Sequence, residues 1–170
     1  MEKNSPTADP ILLLGFTLAH AVWSICDAKL EEFLCPLAFI ENDGKLELVR
    51  FESETQEDAI AEGKDHINLR KKVAVVSSFA REGLITDKDD KVDVILVESW
   101  SNRDNQTYGV IHKFVPNRGK GHFKLLDEPM FLINGEIQTE EVTIELMNKL
   151  EQGVQSHSKV APLWRKWKDK

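Results

Sequence analysis

The sequence predicts an α+β fold, in which a mostly antiparallel sheet of five to six strands packs against about three helices. Three observations support this fold class. An apolar segment of helical length occupies residues 11–26, a tight-turn signal follows at Asp43-Gly44, and several short apolar runs separated by polar turns come after it. Short strands joined by turns favour antiparallel pairing, and the long apolar segment requires a helix packed on the sheet.

Composition narrows the class of protein. The chain has 170 residues, a net charge of −7 and a sequence pI of about 5.3, and 41% of its residues are hydrophobic. That hydrophobic fraction excludes disorder of the whole chain, and two cysteines are too few for a disulfide scaffold. The acidic balance argues against a protein that coats nucleic acid, because its field would repel phosphate.

The chain contains no internal repeat and no linker long enough to separate two folded units. We therefore expect a single domain over residues 10–155. Residues 1–9 are polar and are predicted to be disordered. Residues 156–170 form a basic tail with Trp164 and Trp167, and we expect these two indoles to dock on the domain's own hydrophobic surface.

The first helix has a clear start. Asp9 is a good N-cap acceptor, and Pro10 suits the first helical position. Thr17, His20 and Ser24 mark one narrow polar stripe, and nearly everything else on this helix is apolar or small. Such a wide apolar arc predicts either burial on two sides or a subunit interface.

The remaining elements follow in order. A hairpin is predicted over residues 36–52 around Asp43-Gly44, and a second helix at 55–69 begins at Thr55. Further strands are predicted at 73–80, 91–100, 107–115, 122–126 and 129–133. A closing helix at 139–152 is expected to turn Val142, Leu146, Met147 and Leu150 inward.

The two cysteines, Cys26 and Cys35, fit free thiols in a reducing compartment. The apolar segment at 11–26 lacks the positive flank of a signal peptide and is shorter than the roughly 20 residues that span a bilayer. The sequence therefore predicts a cytoplasmic protein without a membrane span.

One sheet face is a candidate site. If the polar turn at 101–106 closes a simple hairpin, Trp100 pairs with Tyr108, and Glu98 and His112 share their face. A carboxylate and an imidazole on an apolar, aromatic surface are suited to ligand binding or to acid–base chemistry. Ser77 or Ser78 would supply a nucleophile, although no Gly-x-Ser-x-Gly motif accompanies them.

Basic residues on a glycine-rich turn suggest an anion contact. Arg118 and Lys120 lie in the segment Arg-Gly-Lys-Gly-His, where backbone N–H groups and side chains could hold an anion, although a turn with solvated lysines explains the segment equally well. The ligand-binding hypothesis therefore includes these six residues: Glu98, Trp100, Tyr108, His112, Arg118 and Lys120. The sequence identifies no catalytic residue.

The motifs in the sequence give no support for a metal site or a cofactor site. The acidic segment 87–98 lacks the oxygen ligand and the glycine that a calcium loop needs at its fifth and sixth positions. The five histidines and two cysteines do not follow zinc-ligand spacing. We expect neither a metal nor a cofactor.

Charge is segregated along the chain. Residues 27–65 contain twelve acids and four bases, whereas residues 112–124 contain four bases and no acid. Together with the apolar first helix, this pattern predicts a non-catalytic interaction or regulatory protein that self-associates or binds a protein partner. The alternative is a binding protein or enzyme for a small anionic ligand at the Glu98/His112 face, and the sequence leaves catalysis open.

Overall fold

The computed structural model describes residues 9–28, 32–117 and 122–168. Its elements, in chain order, are α1 (Pro10–Ile25), β1 (Leu37–Asn42), β2 (Lys45–Arg50), α2 (Gln56–Arg70), β3 (Val76–Asp87), β4 (Asp90–Ser101), β5 (Tyr108–Val115), β6 (Lys124–Ile133), β7 (Glu136–Ile137), α3 (Glu140–Gln155) and α4 (Ala161–Lys168). Two predicted ligand residues, Arg118 and Lys120, lie outside the described residues, as does most of the segment predicted to be disordered.

The strands form one antiparallel sheet in the order β2-β1-β3-β4-β5-β6-β7, which confirms the predicted α+β class. Within the described residues there are seven strands and four helices, slightly more than predicted. The segments predicted as strands at 122–126 and 129–133 belong to one strand, β6, and the unpredicted elements are short, since β7 has two residues and α4 has eight. Elements this short offer too few periodic positions for a sequence pattern to reveal them.

Helix α1 begins where the sequence predicts. The Asp9 carboxylate accepts hydrogen bonds from the backbone N–H groups of Ile11 at 2.8 Å and Leu12 at 3.3 Å, and Pro10 occupies the first helical position. These bonds satisfy two of the amide groups that a helix start leaves unpaired. In the described part of the chain, no helix is both long and apolar enough to cross a membrane.

Helix α1 lies between the sheet and α3. We call the side of the sheet that carries Ala80, Ile95 and Val97 the α1 face, because these residues share one core with α1. Two hydrogen bonds fix the helix on this face, one between the hydroxyls of Thr17 and Ser78 and one from Ser99 Oγ to the Pro10 carbonyl. Burial on two sides within one chain therefore accounts for the wide apolar arc of α1.

Two glycines allow α1 and α3 to approach closely. A Cβ atom built on Gly15 would lie 2.1 Å from the carbonyl oxygen of Leu150, and one built on Gly153 would lie 2.2 Å from the carbonyl oxygen of Leu12. Both distances are far below van der Waals contact, so any side chain at either position would force the helix backbones apart.

Helix α2 covers part of the opposite side, which we call the α2 face. Ala59 and Ile67 of α2 pack with Phe79 of β3 and Ala38 of β1 in a second, smaller core. The neighbouring part of this face, on β4 and β5, carries the half-buried side chains of Leu96 and Ile111.

The tail forms a helix that returns to the sheet. Trp164 of α4 is buried, and its ring lies edge-on to the His112 ring at 6.0 Å between centroids. Trp167 contacts Phe123 in the same way at 5.7 Å. The expectation that these tryptophans dock on the domain's own hydrophobic surface is confirmed.

Candidate functional site

The pairing of β4 with β5 decides which predicted residues can meet. Ser99 lies opposite Tyr108, and Glu98 lies opposite Gly109. The predicted register, with Trp100 opposite Tyr108, is wrong by one residue. Thr107 accounts for part of the difference, because its backbone exchanges hydrogen bonds with Asn134 at 2.9 and 2.8 Å and is thereby held to the β6–β7 turn.

A shift of one residue moves a whole set of side chains to the other side of a sheet. Tyr108 and His112 therefore lie on the α1 face, whereas Glu98 and Trp100 lie on the α2 face. The Trp100 indole N–H donates a 2.9 Å hydrogen bond to Thr107 Oγ1, as this register requires. The predicted shared face of these four residues is thus corrected, and the structure groups them as two separate pairs.

His112 is a core residue. It has no exposed surface, and it lies between β5 and Trp164 of α4. Its Nδ1 atom lies 3.2 Å from the Lys113 carbonyl oxygen, while Nε2 has no hydrogen-bond partner. Burial lowers the pKa of His112 to about 4, so the ring is neutral at physiological pH.

Tyr108 is half-buried at the edge of the α1 face, and its hydroxyl donates to Asp104 at 3.3 Å. Burial, together with the Asp104 carboxylate, raises the pKa of Tyr108. The Ser78 hydroxyl is hydrogen-bonded to the Thr17 hydroxyl. Ser77 lies on the α2 face, away from His112, so neither serine hydroxyl contacts the His112 ring. The α1 face therefore holds these residues as parts of a packed interior.

A histidine pair, in which His157 is buried and His20 is half-buried, connects α1 to the segment before α4. His20 Nδ1 and His157 Nε2 lie 3.0 Å apart, and the rings pack among Phe16, Trp23 and Phe39. Burial and the neighbouring His157 lower the pKa of His20 to about 4, and burial also lowers that of His157. Among the described residues, no group of three or more histidine, cysteine or acidic side chains could hold a metal ion.

The α2 face contains a concave site that we call the Arg81 pocket. It has a volume of about 120 Å³, and its lining includes Phe79, Arg81, Leu96, Glu98, Gly109 and Leu132. Gly109 leaves room at its centre, since a Cβ atom there would meet Leu132 and Val97 only at 3.6 Å. Within the described chain, the side chains of Arg81 and Glu98 form no ion pair or hydrogen bond, so both remain available to a ligand.

A larger polar site, the Lys71 pocket, adjoins it. This pocket has a volume of about 310 Å³ and is lined by Lys71, Lys72, Trp100 and residues of the β4–β5 turn. The Lys71 ammonium lies 5.4 Å from the centre of the Trp100 ring, within cation–π range. Thr107 lines both pockets, so they are adjacent, and we call the two pockets together the cleft.

Of the six predicted residues, Glu98 and Trp100 line this cleft. Sequence reasoning missed Arg81 because the predicted strand ends at residue 80, whereas β3 continues to Asp87. Lys88 and Asp89 have positive φ, at 52° and 72°, and form the two-residue turn of a β3–β4 hairpin, but neither is the glycine that usually marks such a turn in a sequence. Gly109 gave no signal, because its effect depends on the residue opposite it.

Comparisons of the chain with protein-family models, with curated proteins and with solved structures found no match.

Proposed function

We propose that this protein binds a small amphipathic ligand in the cleft on the α2 face. The apolar part of the ligand enters the Arg81 pocket, and an anionic group lies at Lys71 and Lys72. The observation that carries the proposal is the wall formed by Thr107, which joins an apolar compartment to a cationic one.

The sizes of the compartments support a ligand of this kind. Protein cavities of about 150 Å³ accept benzene, so the Arg81 pocket at about 120 Å³ suits one aromatic ring or a short branched chain. The Lys71 pocket, at about 310 Å³, has room for a charged group with its hydration. Ligand sites usually combine apolar walls with a few fixed polar groups, and here Arg81 and Glu98 supply them.

The test uses two single-ring probes of similar size, benzenesulfonate and neutral benzenesulfonamide, titrated into the full chain by calorimetry. Gly109→Val should weaken binding of both probes at least tenfold, because the new side chain fills the apolar compartment. Its backbone has no positive φ and its Cβ contacts are ordinary, so the variant should fold.

The double variant Lys71→Gln/Lys72→Gln should weaken binding of the sulfonate about tenfold and leave binding of the sulfonamide unchanged. The matched control, Lys88→Gln/Lys91→Gln, removes the same charge from the opposite end of the β3–β4 hairpin. If that control lowers sulfonate affinity equally, or if Gly109→Val binds both probes like the wild type, the proposed site is wrong.

A further inference from the structure

A second concave surface lies among β6, β7 and α3. This α3 groove has a volume of about 480 Å³, and its lining includes Met130, Ile137, Ile144 and Met147. Ile137 is 64% exposed and Ile144 is 67% exposed, although both are large apolar side chains. Contiguous exposed apolar surface of this kind marks interaction sites in soluble proteins.

Helix α3 presents two different surfaces. Leu150, Gly153 and Val154 belong to the buried side that packs on α1. The groove is lined by the other side, at Glu140, Ile144 and Asn148, which follow one another at intervals of four residues. These positions span about 12 Å along the helix axis, at about 1.5 Å per residue, which corresponds to two or three turns of a partner helix.

The rim of the groove is acidic. Glu140 lines it, and Glu136, Glu141 and Glu145 are exposed on the adjoining β7 and α3. Glu128 also lines it and forms an ion pair with Lys168 at 3.3 Å. The single lysine of α3, Lys149, forms an ion pair with Asp9 at 3.0 Å and so does not neutralise this rim. The apolar floor therefore has a predominantly negative border.

We propose that the α3 groove binds a cationic amphipathic helix of another protein. Apolar side chains of that helix would pack on Ile137, Ile144 and the two methionines, whose flexible thioethers adapt to different partners. Lysine or arginine residues at its margins would meet the glutamates. A second copy of this chain fits less well, because two acidic rims would face each other.

The geometry also disfavours a partner that adds a β-strand to the edge of the sheet. The sheet ends at β7, which pairs with β6 through two residues, Glu136 and Ile137. An edge of two residues offers few backbone groups for an added strand. Helix packing needs no such edge, and the groove supplies the apolar surface that it requires.

The experiment measures binding of a fluorescein-labelled, 14-residue Leu/Lys peptide with helical amphipathic spacing, by fluorescence anisotropy with the full chain. A scrambled peptide of the same composition keeps the charge and loses the apolar face. We expect the scrambled peptide to bind at least tenfold more weakly. Equal affinity for both peptides would show that charge alone drives binding and would overturn the proposal.

Two lysine substitutions on α3 separate the groove from the rest of the helix. Ile144→Lys should weaken binding of the amphipathic peptide at least tenfold, because it places a cation on the apolar floor. Val142→Lys adds the same charge outside the groove, at a residue 46% exposed, and should change affinity less than threefold. Circular dichroism and urea midpoints check that both variants fold.

Light scattering on the free protein tests whether a second copy of this chain occupies the α3 groove instead. A dimer that Ile144→Lys converts to monomer would assign the groove to a second copy of this chain and overturn the proposal. Equal effects of Ile144→Lys and Val142→Lys on peptide affinity would also overturn the proposal, since the binding surface would then lie elsewhere.

Discussion

His112 carries two ring nitrogens into the interior, and only one of them has a partner. Replacing the ring by Ala leaves a cavity between β5 and Trp164, which should lower the free energy of unfolding by about 3 kcal/mol. Leu fills most of the space and removes a buried polar atom that has no partner, so His112→Leu should cost about 1 kcal/mol or less.

Urea denaturation followed by circular dichroism measures both changes in unfolding free energy. A cost of less than about 1 kcal/mol for His112→Ala would mean that the side chain contributes no more than a residue at a strand edge. A larger cost for Leu than for Ala would mean that the imidazole makes polar contacts for which an apolar side chain cannot substitute.

At the scale of elements, the crossing of α1 and α3 depends on Gly15 and Gly153. We expect Gly15→Ala and Gly153→Ala each to lower the free energy of unfolding by about 1–3 kcal/mol, because the added methyl group meets a backbone carbonyl at close to 2 Å. The double variant should cost less than the two single costs together, since the first substitution already separates the helices.

Ala61→Gly on the exposed side of α2 provides the matched control. It measures the helix-propensity difference between Ala and Gly, about 1 kcal/mol, without any packing change. If Gly15→Ala or Gly153→Ala stabilises the protein by that amount, the close approach of the two helices is wrong. Thermal and urea unfolding both report these differences.

Local signals account for the elements that the sequence predicts well. The Asp9 cap, the turn at Asp43-Gly44 and the Thr55 cap each depend on residues within three positions, and the structure confirms all three. Asp43 and Gly44 both have positive φ, as a tight hairpin requires. Val142, predicted to point inward, is 46% exposed, because the buried side of α3 is set by the glycine crossing.

The candidate site was less predictable for a physical reason. The β4–β5 register depends on Thr107 and Asn134, which lie 27 positions apart and meet only after β6 has turned back. A register error of one residue moves every side chain of a strand to the other face of the sheet. A strand can therefore be predicted at the correct residues while its side chains are assigned to the wrong face. Glu98 and Trp100 lie on one face, as predicted, and Arg81, which lines a pocket with Glu98, lies on a strand predicted to end too early.

At the scale of the whole molecule, stability should fall in weak acid. The folded pKa of His112, about 4, lies below its ordinary value of 6.5, so the unfolded chain binds a proton that the folded chain does not. This stabilising contribution is fully present above pH 6.5 and is lost as the pH falls from 6.5 toward 4, at about 1.4 kcal/mol per pH unit. His20 and His157 act in the same direction.

Urea midpoints measured from pH 7.5 to 4 test this dependence. His112→Leu should flatten the slope by about 1.4 kcal/mol per pH unit, because it removes one titrating group. The Lys113 hydrogen bond lowers the pKa of Asp87, so that carboxylate contributes only at lower pH, below its ordinary value of 3.8. An unchanged slope in His112→Leu would show that His112 is protonated in the folded protein.

The position of α1 between the sheet and α3 has a consequence for biosynthesis. The ribosome completes α3, which covers the outer side of α1 and ends at Gln155, 130 residues after it completes α1 at Ile25. At a synthesis rate of about 5–20 residues per second, roughly 7–25 s pass between the synthesis of α1 and that of the end of α3. Nascent chains therefore expose the outer side of this apolar helix during that interval, and a chain that stops before α3 would leave it open to chaperones or to aggregation.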